Sequence, residues 1–471
     1  MIVSRLPLSS FRRCHHASGN SRIQYFVASR NATRRRPVTM SNKGLDLRSI
    51  GDLPDRCFST SVGPADRLSF SVSSLGLDRN FISPVLASVR QLPEFDEAWN
   101  TFPSSASIED LNRAADVFAS FDKGGREHAA VCAMLAECQQ RLALYSEALE
   151  TLDDLGQFCQ TQNIPNSAED VLLAKAKIFW TKGDFARAQG LCESIISEYN
   201  DFDEDFPTTN LHMASAMSGK ALSQLASMTT LDDAYSVRDY FRIAIKFLER
   251  HPSTANSLPQ AVAHSNCGVA EAVYSIFLEE TNDVSVPIDG ALRTWFQGLQ
   301  QTERDRPEAE FGPHLSAASK LLQGNIQANL AWGVLNYETD RSDYLKKASD
   351  YASKALKVYD SDGTLGKEGM CRILSIVASC YQEAENAVTA EGLFQSAINR
   401  KELPPGPLSL LCLKEAVLSY EKLCRNWDKR EGDAKRLEAE AEEIDESLPD
   451  PWKGKSGIHG SLWFWTPGDF L

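Results

Sequence analysis

The architecture of the chain is most evident in one short segment, which reads Ala176-Lys177-Ile178-Phe179-Trp180-Thr181-Lys182-Gly183-Asp184-Phe185-Ala186-Arg187-Ala188. Alanines stand at both of its ends, and a glycine separates two runs that contain aromatic residues. Alanine lets two helix backbones approach closely, and Gly183 suits a turn in which a side chain would be costly. The segment therefore predicts the end of one helix, a tight turn and the start of an antiparallel partner.

The same spacing occurs at two other places in the chain. Ala136 and Ala148 are as far apart as Ala176 and Ala188, and an apolar pair follows each second alanine at the same distance. The third copy is Ala378 and Ala390, followed by Phe394 and Ala397. One helix pair cannot bury its apolar face alone, so such copies are expected to stack.

Weaker copies occupy the rest of the region between residues 108 and 446. Apolar and small residues recur there at three- and four-residue spacing, which predicts amphipathic helices, and the alternation typical of strands is nearly absent. The pattern predicts about seven helix pairs. The copies at Ala136 and Ala176 lie further apart than the roughly 34 residues of a regular helix-pair repeat, which predicts insertions in the loops.

These segments resemble the tetratricopeptide repeat, and the resemblance covers about residues 108–446. It implies an all-α fold of antiparallel helix pairs stacked into a right-handed superhelical solenoid. It also implies a concave groove that holds peptides or protein segments. Some members bind C-terminal carboxylates through Lys, Arg and Asn side chains in this groove. The spacing here does not reproduce that clamp, but four residues are candidates for the groove: Lys177, Asn266, Asn329 and Arg372.

The start of the chain differs in charge from the rest. The whole chain of 471 residues has a net charge of −15, whereas residues 1–58 carry +8 and have no acidic residue before Asp46. This Arg- and Ser-rich composition predicts a mitochondrial transit peptide. Cleavage is expected between Phe58 and Ser59, or after Cys57 with later trimming, because Arg56 shortly precedes an aromatic and then a small residue. The alternatives are a plastid address, a basic binding tail, or a cytoplasmic form that starts at Met40.

The remaining boundaries follow from composition. Residues 59–107 are rich in Ser, Pro and Gly, which predicts a linker, and the helical array is expected over 108–446. The acidic last helix of the array is expected to be a solvated cap, and an acidic interaction helix is the alternative. Residues 447–471 form a tail that contains Trp452, Trp463, Phe464 and Trp465. The tail is expected to fold back on a helix face or to dock a partner, since a disordered segment rarely contains so many aromatic residues.

Several classes of site receive no support from the sequence. Gly454-Lys455-Ser456 lacks the earlier glycine and the strand of a phosphate loop, and the histidines do not have the spacing of a zinc site. No catalytic, cofactor or metal site is therefore predicted. The eleven cysteines are expected to be reduced core residues, and no apolar run is long enough for a membrane helix.

Three functional hypotheses follow. The first is a non-catalytic adaptor in the mitochondrial matrix that binds protein or peptide segments in its concave groove. The second is an organellar RNA-associated helical-repeat factor, although the charge of −23 beyond residue 58 opposes nucleic-acid binding. The third is an enzyme whose site matches no known motif. The oligomeric state is not predicted.

Overall fold

The fold comes from a computed structural model that describes residues 108–120, 126–161, 167–199, 207–227, 231–249, 257–282, 288–303, 308–337, 343–361, 363–399, 403, 406–427 and 429–454. All of them belong to one compact unit, Gly63–Leu471. The predicted cleavage site at Phe58 and Ser59, the predicted linker 59–107 and residues 455–471 of the predicted tail lie outside the described residues.

The described residues form fifteen α-helices, numbered in chain order, followed by one 3₁₀ turn at Asp450–Trp452. The helices are α1 (Ile108–Ala119), α2 (Arg126–Arg141), α3 (Tyr145–Thr161), α4 (Ser167–Thr181), α5 (Phe185–Tyr199), α6 (Pro207–Ser227), α7 (Leu231–Glu249), α8 (Ser257–Asn282), α9 (Asp289–Glu303), α10 (Glu308–Tyr337), α11 (Tyr344–Ser361), α12 (Gly363–Glu383), α13 (Ala387–Ala397), α14 (Pro407–Arg425) and α15 (Glu431–Ser447).

Each helix packs against the next one along the chain, so that α2 to α15 form seven consecutive pairs. The first helices of neighbouring pairs also touch, for example α4 with α6 and α10 with α12. No strand occurs among the described residues. The predicted fold class, an all-α array of stacked antiparallel helix pairs, is confirmed.

Three of the pairs are joined by the same tight turn. Gly183 has a left-handed backbone with φ of 86°, and Ala143 and Glu385 occupy the equivalent positions, each with φ of 61°. All three residues lie seven positions after the first alanine of their copy. In the α4–α5 turn, the Asp184 N–H donates to the Phe179 carbonyl at 2.8 Å, and the other two turns contain the matching bond. The shared spacing therefore specifies the same turn geometry in all three hairpins.

The alanines that carry the repeat are core residues. Each has at most 2 % of its surface exposed: Ala136, Ala148, Ala176, Ala188, Ala378 and Ala390. The second helices of the outer pairs have one buried face and one solvated face. The acidic α15, for example, buries Ala434, Leu437, Ala441 and Ile444 and exposes most of its carboxylates.

The middle of the array is more deeply buried. Between His212 and Ala226 of α6, only Lys220 and Gln224 are more than slightly exposed. In α8, the backbone of Gly268 lies against the ring of Trp295 from α9, and the indole N–H of Trp295 donates to the Ser265 carbonyl at 3.0 Å. The long middle helices are therefore covered around most of their circumference.

Of the nine cysteines within the described residues, none is in a disulfide and eight are buried. Among the described helices, none is long and apolar enough to cross a membrane.

Candidate functional site: the first helices and the tryptophan pocket

Buried polar contacts connect the first helices of neighbouring pairs. Between α2 and α4, the ammonium group of Lys177 lies 3.3 Å from Glu137 Oε2. The other oxygen of Glu137 accepts from Arg141 Nε at 3.0 Å. Lys177 and Glu137 each follow the first alanine of their copy by one position, so residues of opposite charge meet at equivalent places in successive repeats.

The next contact joins α4 and α6. His212 Nε2 lies 2.8 Å from Asp170 Oδ1, and both side chains have at most 1 % of their surface exposed. Burial raises the pKa of the Asp170 carboxyl, and the neighbouring imidazole acts in the opposite direction. A buried pair of this kind is costly to break by removing one partner, so it fixes how the second pair stacks on the third.

A third contact joins α10 and α12. The guanidinium of Arg372 donates to Asn329 Oδ1, and both residues are buried. One turn earlier in α10, Asn325 Oδ1 accepts from the Tyr359 hydroxyl of α11 at 2.6 Å. Burial lowers the pKa of Arg372, since the charged form loses its hydration.

The structure thus places all four groove candidates in the interior. Lys177, Asn329 and Arg372 make the contacts between first helices, and Asn266 of α8 has no exposed surface. At these positions they contribute to the stacking of the helix pairs. Their role in contacting a ligand stays a prediction.

One half-buried histidine in the middle of the array has a different environment. His264 of α8 packs beside Gly298 of α9, and its Nδ1 atom is buried with no hydrogen-bond partner among the described residues. Burial lowers its pKa to about 4, although the negative charge of Glu271 opposes this shift. The imidazole is therefore neutral at physiological pH.

The most distinctive feature of the described surface is a pocket at the α4–α5 turn that holds a tryptophan from the C-terminal segment. The side chain of Trp452 is completely buried. Its ring makes edge contacts with Trp180, at 5.1 Å between centroids, and with Phe185, at 5.0 Å. We call the site formed by Trp180, Thr181 and Phe185 the tryptophan pocket.

A hydrogen bond gives the tryptophan pocket chemical specificity. The indole N–H of Trp452 donates to the Thr181 carbonyl at 3.0 Å. Thr181 is the last residue of α4, and the carbonyls of a final helical turn have no partner within their own helix. The pocket therefore matches a side chain that combines a flat apolar ring with an N–H donor, and this combination is peculiar to tryptophan.

The segment that carries Trp452 leaves α15 through the extended residues Leu448 and Pro449 and then forms the 3₁₀ turn Asp450–Trp452. Leu448 is buried, whereas Pro449, Asp450, Lys453 and Gly454 are exposed. Its end is held by α15, since the Gly454 N–H donates to both carboxylate oxygens of Asp445 at 3.1 Å. Residues 448–454 thus form a short peptide-like strap across the α4–α5 turn.

The sequence analysis did not predict the tryptophan pocket. Trp452 was expected to fold back or to dock a partner, but nothing in the spacing identified Thr181 as the acceptor. The other aromatic residues of the predicted tail, Trp463, Phe464 and Trp465, lie outside the described residues. In the part of the chain that the structure describes, no group of three or more His, Cys, Asp or Glu side chains is arranged to hold a metal ion.

Comparison with solved structures gives distant likenesses. No family model and no curated protein sequence matches the chain. A structure of a monomeric mutant of IFIT1 with Gppp-AAAA is 13 % identical, with a TM-score of 0.34 over 81 % of this chain and 80 % of that chain. The crystal structure of yeast Tom70 is 12 % identical, with a TM-score of 0.19 over 77 % and 94 % of the two chains.

Proposed function

We propose that the chain is a non-catalytic scaffold of the tetratricopeptide type that binds segments of other proteins. The observation that supports this proposal most directly is the strap itself. The α4–α5 hairpin holds a short segment through one buried indole and one hydrogen bond to the carbonyl of the last residue of α4. Because this contact joins residues 271 positions apart, the chain connectivity does not enforce it. It is a peptide-binding contact formed within one molecule.

The proposed place of action is the mitochondrial matrix, on the basis of the composition of residues 1–58. The test is mass spectrometry of the N-terminus of the tagged protein from its own cells. A mature chain that starts near Ser59 supports the address. An intact N-terminus, or a mature protein in plastids, contradicts it.

Site-specific crosslinking tests the binding function. A photoreactive residue replaces Lys182, which is exposed beside the tryptophan pocket, and in a second variant replaces Lys435, which is exposed on α15. We expect defined protein adducts at position 182 and few at position 435. Equal adducts at both positions would contradict a dedicated surface, and adducts to RNA in place of protein would favour the nucleic-acid hypothesis.

A further inference from the structure

The tryptophan pocket is occupied by the chain's own C-terminal segment, which has a consequence for partners. We infer that the pocket is a recognition site for tryptophan-bearing segments of other proteins, and that residues 448–454 are an internal ligand which such a partner displaces. This inference rests on the proposed binding function and adds the chemistry of the partner and a means of regulation.

The geometry of the pocket defines the ligand. Two aromatic rings, Trp180 and Phe185, make edge contacts with the indole, and the Thr181 carbonyl accepts its N–H. A phenylalanine would fill the ring space but would leave the carbonyl without its donor. A segment that presents an accessible tryptophan at the end of a short 3₁₀ turn, as the strap does, is therefore the expected partner.

The attachment of the strap is suited to displacement. Its buried side chains, Leu448 and Trp452, are separated by exposed residues, and Pro449 ends the preceding helix. The strap backbone makes local bonds, such as the Trp452 N–H to the Pro449 carbonyl at 2.8 Å. Release of the two buried side chains, together with the Gly454 bond to Asp445, would therefore free the strap, while α15 keeps the four apolar residues that it buries.

The test uses a fluorescent peptide with the sequence of residues 445–454, Asp-Glu-Ser-Leu-Pro-Asp-Pro-Trp-Lys-Gly, and the full chain carrying Trp452→Ala. We expect the variant to bind the peptide at least tenfold more tightly than the native chain does, because its pocket is empty. A peptide with alanine in place of its tryptophan, and the double variant Trp452→Ala with Phe185→Ala, are expected not to bind.

The matched control is Trp427→Ala in the full chain. Trp427 lies in the turn before α15, where Arg430 stacks on its ring, and it is not part of the pocket. This variant should bind the peptide as weakly as the native chain. Equal binding by the two tryptophan variants, or no binding by a helical Trp452→Ala chain, would overturn the inference.

Hydrogen exchange on the native chain gives a second test that does not depend on the folding of a variant. Excess peptide should at least triple the exchange rate of the amides of residues 452–454 while the amides of α14 stay protected. An unchanged exchange rate of these amides at saturating peptide concentration would contradict the inference. Failure here, together with protein adducts at position 182 in cells, would leave the proposed scaffold function intact and show that its ligand does not use the tryptophan pocket.

Discussion

The hairpins α2–α3, α4–α5 and α12–α13 differ from the middle helices α6 to α9 in the kind of contact that stabilises them. In the hairpins, the turn fixes the angle between two helices through one residue with left-handed φ and one repeated hydrogen bond. In the middle, the first helices are buried on nearly all sides and depend on close packing of side chains and backbone.

The difference shows two ways of making the same helix pair. A local turn tolerates exposed neighbours, which is why Leu144 and Tyr381 can stand partly in solvent beside these turns. The closely packed middle helices tolerate little change in side-chain volume, because buried side chains have no room to move. Changes in side-chain size should therefore be most damaging in the middle, and changes in backbone preference should act mainly at the hairpins.

The largest effect is expected for Gly268→Ala in the middle. An added methyl group would lie 2.4 Å from two atoms of the buried Trp295 ring, whose indole is held by Ser265. We expect a loss of about 3 kcal/mol in the free energy of unfolding, measured by urea denaturation. Gly190→Ala in α5 is the matched control, because no atom lies within 4 Å of its added methyl group. The control should be neutral or stabilising, and equal losses would contradict the comparison.

The pH dependence of the middle is the next effect in size. His264 has a pKa lowered to about 4 in the folded chain, compared with 6.5 for an ordinary histidine. Its contribution to stability is therefore present above pH 6.5 and lost as the pH falls toward 4. We expect the native chain to lose about 2 kcal/mol more than His264→Gln between pH 7 and pH 4.5. Parallel pH profiles in urea denaturation would show that the imidazole is not excluded from water.

The hairpin turns should respond in opposite directions to glycine. Gly183→Ala places a side chain at φ of 86° and should cost about 1 kcal/mol, whereas Glu385→Gly relieves φ of 61° and should stabilise by up to about 1 kcal/mol. The two urea midpoints should move apart. If both substitutions destabilise the chain, packing around the turn outweighs the backbone conformation.

The smallest effect concerns the helix start after each turn. Asp184 and Asn386 cap their helices, and their side chains accept from Arg187 N at 3.2 Å and from Thr389 N at 3.3 Å. Leu144 holds the equivalent position before α3 and cannot accept. We expect Leu144→Asn to stabilise by about 0.5–1 kcal/mol in urea denaturation. Asn386→Leu should lose a similar amount, and no change in either variant would show that these caps do not contribute.

The sequence was most informative where structure is local and repeated. The alanine spacing predicted the three similar hairpins, because a crossing and a turn depend on residues within a short segment. The repeat also contained a signal that was not used. Glu137 and Lys177 have opposite charges at equivalent positions, which predicts their contact between neighbouring first helices.

The tryptophan pocket could not be predicted in the same way. Its hydrogen bond joins the Thr181 backbone to a side chain 271 positions later, and no periodic pattern relates the two. The burial of the middle helices could not be predicted from the sequence either. The extent to which neighbours cover a helix depends on how all the pairs stack. Residues such as Lys177 and Arg372 were thus assigned to a groove on their chemistry alone.

The 271 residues between the pocket and its tryptophan also separate them in time during synthesis. A ribosome that adds 5–20 residues per second needs roughly 15 to 55 s to make that length of chain. The α4–α5 hairpin can form early in this interval, because helices and turns close in microseconds. The nascent protein therefore presents an empty aromatic pocket for many seconds, and any chaperone that meets it then finds a site that the finished molecule covers itself.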